Sequence, residues 1–238
     1  MPAYTRRQLK EDKFAKGTQE AVHWASEHQQ WLLFAILAVA VVGIAVTVYL
    51  IWQSRQSEKA NAALGKALQT YVAPVRPPNT PADPTMKSFG SMAERGKEAA
   101  KQLKAVADQF PRTKPGKIAR YLAGTAAIQA GDNGQAEQLL KSAADESDKN
   151  ISALAKLALA NLYRDTKRPA DAAKLYIDLA DHPTDTVSKD QAKLQLAEMY
   201  EATDPKEAQN IYQQIQKEAD PRSAAGSIAA SKLAGIPK

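Results

Sequence analysis

The 238-residue sequence has no cysteine. That absence excludes a disulfide framework, a thiolate nucleophile, a cysteine-based metal site and a lipid anchor attached through a lipobox. Histidine is nearly absent as well. His23, His28 and His182 are the whole supply, and they show no metal-ligand spacing. There is no glycine-rich phosphate loop, no G-x-S-x-G and no His/Ser/Asp signature. The carboxylates are scattered over polar positions. These absences leave no catalytic residues, no metal ligands and no cofactor site, so the chain reads as a non-enzyme without a small-molecule substrate. Glycine is sparse, and β-branched runs are rare outside one segment. Alanine is abundant, which points to helices.

The exceptional segment is "WLLFAILAVAVVGIAVTVYLIW". Charge is missing from Trp31 to Trp52. As a helix rising about 1.5 Å per residue, this run spans roughly 33 Å, close to the hydrocarbon thickness of a bilayer. Trp31 opens it, and Tyr49 and Trp52 close it, in the manner of aromatic belts at two interfaces. No polar face exists, so a surface helix is excluded, and a buried core helix would rarely be so uniformly apolar. A cleaved signal peptide has one point in its favour, the A-x-A pattern in "ANAA" (60–63). The run is longer than the apolar core of a signal peptide, thirty residues precede it, and Arg55, Glu58 and Lys59 separate it from the A-x-A. The reading is a retained single span.

Five Lys/Arg (Arg6, Arg7, Lys10, Lys13, Lys16) precede the span, and three (Arg55, Lys59, Lys66) lie in the twenty residues after it. That bias favours an N-terminus inside the cytoplasm and a C-terminal part outside it. The net charge of +6 is unevenly placed. Residues 87–120 carry nine Lys/Arg against three acids, and the remainder to the C-terminus is mildly acidic. The basic stretch could meet lipid headgroups or an acidic partner, or be a solvated helix face. A domain outside the cytoplasm is not expected to meet nucleic acid.

Behind the span a pattern recurs. "AAKQLKAVADQFP", "QAEQLLKSAADES", "DAAKLYIDLADHP" and "EAQNIYQQIQKEADP" align on Ala99, Ala136, Ala172 and Ala208, separated by 37, 36 and 36 residues. The last three are each preceded by a second amphipathic segment, as at Leu154, Leu157, Leu159, Leu162 and Tyr163. The unit is helix–turn–helix. Gly124, Ala160 and Ala197 are small where the two helices must approach. The turns agree: "AGDNG" ends one helix and starts the next, and Pro169 and Pro205 sit near first helical positions. Asp204 and Glu207 have capping-box spacing. Asp220 and Pro221 are expected to start a final capping helix.

These residues resemble the tetratricopeptide repeat family. Its small residue, tyrosine, alanine and aromatic positions are met by Gly124, Ala136 and Ala143 in the first full repeat. Ala160, Tyr163, Ala172 and Tyr176 meet them in the second, and Ala197, Tyr200, Ala208 and Tyr212 in the third. The tryptophan of that pattern is replaced by Arg120, Lys156 and Lys193. With "QEAVHW" in the tail and the span, the layout is similar to the YfgM-type family of ancillary SecYEG translocon subunits. The resemblance implies an all-α fold, one N-terminal transmembrane helix followed by a tetratricopeptide-like α-solenoid, in a bacterial inner membrane. It divides the chain into a cytoplasmic tail (1–30), partly an amphipathic helix, a span (31–52) and a membrane-proximal helix (53–72). A proline-rich linker (73–90) and a periplasmic repeat domain with a capping helix (91–238) follow. "APVRPPNTPADPT" departs from that family's shorter connection; its prolines forbid helix and favour an extended, semi-rigid linker.

The resemblance also implies a protein-binding groove lined by the first helices of the repeats, here Tyr121, Thr125, Gln129, Asn161, Arg164, Asp165, Glu198 and Glu201. Leu154 and Leu157 stand where carboxylate-clamping repeats carry polar groups, so that mode is not expected. The expected role is a scaffold that assists the Sec translocon or periplasmic chaperones in handling exported proteins. The alternative is an accessory or assembly subunit of another envelope, division or respiratory complex. Gly43 and Thr47 would allow the span to approach another helix closely.

Overall fold

The computed structural model describes Trp24 and residues 28–77, 80–81, 87–220 and 223–235. The "QEAVHW" segment up to His23 and most of the expected tail lie outside the described residues, as does Pro221. The helices are α1 (Gln29–Tyr71), α2 (Met92–Gln109), α3 (Lys114–Ala130), α4 (Asn133–Ala144) and α5 (Lys149–Asp165). They continue with α6 (Pro169–Asp181), α7 (Lys189–Thr203), α8 (Pro205–Glu218) and α9 (Ala224–Gly235). Among the described residues there is no β-strand beyond one isolated bridge, Val75 with Phe89. The chain divides into two compact units, residues 1–55 and 56–238.

The first unit holds the apolar part of α1. Its large apolar side chains described between Trp31 and Trp52 are all more than half exposed. The most apolar window of α1 has no residue buried by the rest of the chain. A core helix would be covered, so the core reading falls. The helix is long and apolar enough to cross a membrane. Thr47 Oγ1 donates to the Gly43 carbonyl at 2.8 Å, so this mid-run hydroxyl is satisfied within its own helix.

The second unit is a right-through helical array. From α2 onward each helix packs on the next, and α3 also meets α5 as α7 meets α9. This is the contact order of stacked hairpins, with like helices of successive repeats touching. Ser91, Thr113, Asp132, Asp148, Ser188 and Asp204 each accept a backbone N–H at a helix N-terminus. Helix α6 has no side-chain cap and instead begins on Pro169, whose missing N–H needs none. Gly131 ends α3 in the left-handed region at φ 79°, which the absence of Cβ allows. For the final helix, Ser223 takes the capping role, its Oγ accepting from Gly226 N at 3.0 Å. Helix α9 therefore begins at Ala224, with Ser223 rather than Asp220 in the N-cap role.

Ala99, Ala136, Ala172 and Ala208 are all 0 % exposed. The recurring alanine is therefore the contact point of each hairpin, where no larger side chain fits. Gly124 makes the same point from the other helix: a Cβ there would lie 2.7 Å from the Leu140 side chain. The end of α1 belongs to this packing. Ala60, Leu64 and Ala67 share one buried cluster with Ala99, Ala100 and Leu103. Thr70 donates to Gln102 of α2 at 2.8 Å. The connection from α1 to α2 is tied at its base. Arg76 N donates to the Phe89 carbonyl at 2.8 Å and Phe89 N to that of Pro74 at 3.0 Å.

Candidate protein-binding face

The eight candidate residues all lie on first helices of hairpins: α3, α5 and α7. The structure gathers them in three groups. Tyr121, Thr125 and Gln129 recur at four-residue spacing on one stripe of α3 and surround Tyr71, the last residue of α1. The hydroxyls of Tyr71 and Thr125 are 3.2 Å apart, and Gln129 Nε2 donates to Tyr71 at 3.3 Å. Arg95 of α2 donates to Gln129 Oε1 at 3.1 Å and to the Ala73 carbonyl at 3.0 Å. Burial, and then the neighbouring Tyr71, push the Tyr121 hydroxyl above its ordinary pKa.

Asn161, Arg164, Asp165 and Glu198 form the second group. Tyr176, fully buried in α6, donates to Asn161 Oδ1 at 2.6 Å. Burial, chiefly, pushes its hydroxyl up to about 12. Arg164 reaches from α5 to α7, donating to Gln195 Oε1 at 3.2 Å, and Gln195 passes the chain on to Glu198 at 3.0 Å. Asp165 is held 3.2 Å from Arg164 but is the most solvent-open of the four side chains forming these contacts. Glu201 stands apart as the third group. It accepts from Tyr212 of α8 at 2.7 Å and pairs with Lys232 of α9 at 3.0 Å. Its carboxyl is held below the usual range by the Tyr212 hydrogen bond first and by Lys232.

Tyr121 also belongs to an apolar row whose other members, Leu157 and Leu194, were not among the eight candidates. Tyr121, Leu157 and Leu194 are half-buried against the core, one on each first helix. They are 36 and 37 residues apart, the period of the shared alanines. That period was the available signal: stepping it from Tyr121 reaches both leucines. The face thus carries apolar side chains beside polar ones. Among the described residues no group of three His, Asp or Glu is close enough to hold a metal ion.

A family model described as a tetratricopeptide repeat-like domain matches residues 22–178, more than half of the chain. The chain belongs to the tetratricopeptide repeat-like family. The match begins ahead of α1 and ends within α6. It therefore takes in the apolar helix together with two hairpins, while α7, α8 and α9 lie beyond it. Of these, α7 and α8 continue the repeat by geometry, since Ala197, Ala208 and Tyr212 are as buried as their counterparts Ala160, Ala172 and Tyr176. No curated protein and no solved structure matches the chain.

Proposed function

We propose that the protein is a membrane-anchored scaffold that binds other proteins, with α1 as a retained span and the faces of α3, α5 and α7 as the docking surface. The observation that carries this reading is the family match that runs through the apolar helix into the repeats. An anchor and a repeat domain joined in one family pattern describe a binding surface kept at a membrane. The excess of Lys/Arg before the span supports a cytoplasmic N-terminus and a repeat domain in the periplasm of a bacterial inner membrane. In that setting the clients are newly exported proteins, and the partners are the Sec translocon and periplasmic chaperones.

Photocrosslinking in intact cells tests both levels. A crosslinker at Leu157, Asn161 or Glu198 should capture partners, and one at Ile177, exposed on α6, should not. Equal capture from both positions would remove the docking face. Translocon subunits should appear by mass spectrometry after mild detergent extraction. If the stable partners all came from another envelope complex, the protein would be an accessory subunit of that complex.

A further inference from the structure

Each hairpin carries the same ion pair at the same end. In the first, Lys117 and Arg120 of α3 meet Glu146 just past α4, with Lys117 Nζ 3.1 Å away and a further 2.8 Å bond to Ser147. In the second, Lys156 of α5 lies 2.6 Å from Asp178 of α6, which also faces His182 at 3.2 Å. In the third, Lys189 and Lys193 of α7 lie 2.8 and 3.0 Å from Glu218, the last residue of α8. The acids do not share one register. Asp178 is six residues beyond its alanine, Ala172, whereas Glu146 and Glu218 are ten beyond theirs, Ala136 and Ala208. An arrangement kept through that shift belongs to the hairpin geometry. Asp178 and Glu218 both titrate below the usual carboxylate range, because of Lys156 and Lys189 respectively.

We infer that these pairs are latches that close each helical hairpin by charge, and that they are graded along the array from stiff to compliant. Arg120, Lys156 and Lys193 occupy the position for which the resemblance implies tryptophan. Parting an aromatic wedge would expose apolar surface to water. Parting an ion pair exposes two groups that water solvates well, so the hairpin can open at this end without uncovering a large apolar side chain. The grading follows from burial. Glu146 is 11 % exposed between two cations at 18 % each. Asp178 and Glu218 are 38 % and 45 % exposed, facing Lys156 at 32 % and Lys189 and Lys193 at 49 % and 13 %, so in both it is the acid that lies open to solvent. Dissolved ions screen exposed pairs strongly and buried ones little. The latch on Glu146 therefore stays shut in salt, and those on Asp178 and Glu218 loosen.

Hydrogen exchange of the full chain in detergent micelles, read by mass spectrometry at one fixed pH, tests this directly. Between about 0.1 M and about 1 M salt the screening length falls from about 10 Å to about 3 Å. Peptides from the C-terminal halves of α6 and α8 should then exchange severalfold faster, and those of α4 should not change. Lys156→Glu should reproduce the α6 effect at low salt. Lys156→Glu with Asp178→Lys should reverse it, and Lys156→Trp should leave α6 protected and insensitive to salt. Equal salt effects on all three hairpins, or none, would overturn the inference, as would a charge-swapped pair that leaves α6 unprotected. The wild-type salt series alone decides the matter if the variants do not fold.

Discussion

Gly96 and Glu137 show what single residues decide in this chain. A Cβ at Gly96 of α2 would lie 2.6 Å from Ala130 N and 2.7 Å from Ala126 O of α3, both backbone atoms. No rotamer relieves such a clash, so the two helices would have to part. Gly96→Ala is expected to destabilise the repeat unit by about 1–3 kcal/mol, the usual range for overpacking, read as a lower urea midpoint. Glu137 of α4 works by charge. It lies 2.7 Å from Lys141 and 3.0 Å from Arg168, and it accepts from Tyr163 at 3.0 Å. Arg168 in turn covers the Tyr163 ring at 4.0 Å. The Lys141 hydrogen bond, chiefly, lowers the Glu137 carboxyl from 4.5 to about 2. A pKa depressed in the folded state stabilises above the unfolded value and is lost as pH falls through the folded one. The urea-midpoint difference between wild type and Glu137→Gln should therefore be constant above about pH 5 and shrink from there toward pH 2. A difference independent of pH across that window would show that the carboxylate charge contributes nothing.

At the scale of the element, the helices are delimited by caps that the sequence displays openly. Asp204 accepts from Glu207 N at 3.2 Å and begins α8. Asp204→Ala should cost about 0.5–2 kcal/mol and speed exchange in the first turn of α8 before any other helix. Helix α9 covers the far side of the array through the buried Ala229 and the Lys232–Glu201 pair. A chain ending at residue 219 should leave α8 exchanging faster while α3 to α6 keep their protection, since each hairpin contacts only its neighbours. The shared alanines, the two proline starts and the Gly131 stop were legible because each rests on local chemistry with a fixed spacing. The packing of Ala60, Leu64 and Ala67 with α2 was not. Those positions follow a long apolar run that hides any helical stripe, and a proline-rich connection separates them from the helix they meet. The partners of Arg164 and Glu201 were equally hidden, because a long polar side chain can reach several neighbours and spacing does not say which.

For the whole molecule, the central expectation is that α1 holds the chain at a membrane. Val42→Arg together with Ile44→Arg places two charges mid-run, and each charge at a helix centre costs about 2.5–3.5 kcal/mol on insertion. The wild type should resist carbonate extraction and the double variant should be released; equal retention would assign the attachment to another segment. The division of the chain into two units also has a spectroscopic side. All three tryptophans, Trp24, Trp31 and Trp52, precede residue 56, whereas Tyr163, Tyr176 and Tyr212 are buried in the repeats. Tryptophan emission in this protein is therefore a gauge of the polarity around the N-terminal unit and is silent about unfolding of the hairpins as such. Near-ultraviolet dichroism adds the repeat unit, through the packing of Tyr163, Tyr176 and Tyr212. Tryptophan, excited alone at the red edge of the absorption band, lets lipid insertion be followed apart from solenoid melting in one unlabelled sample.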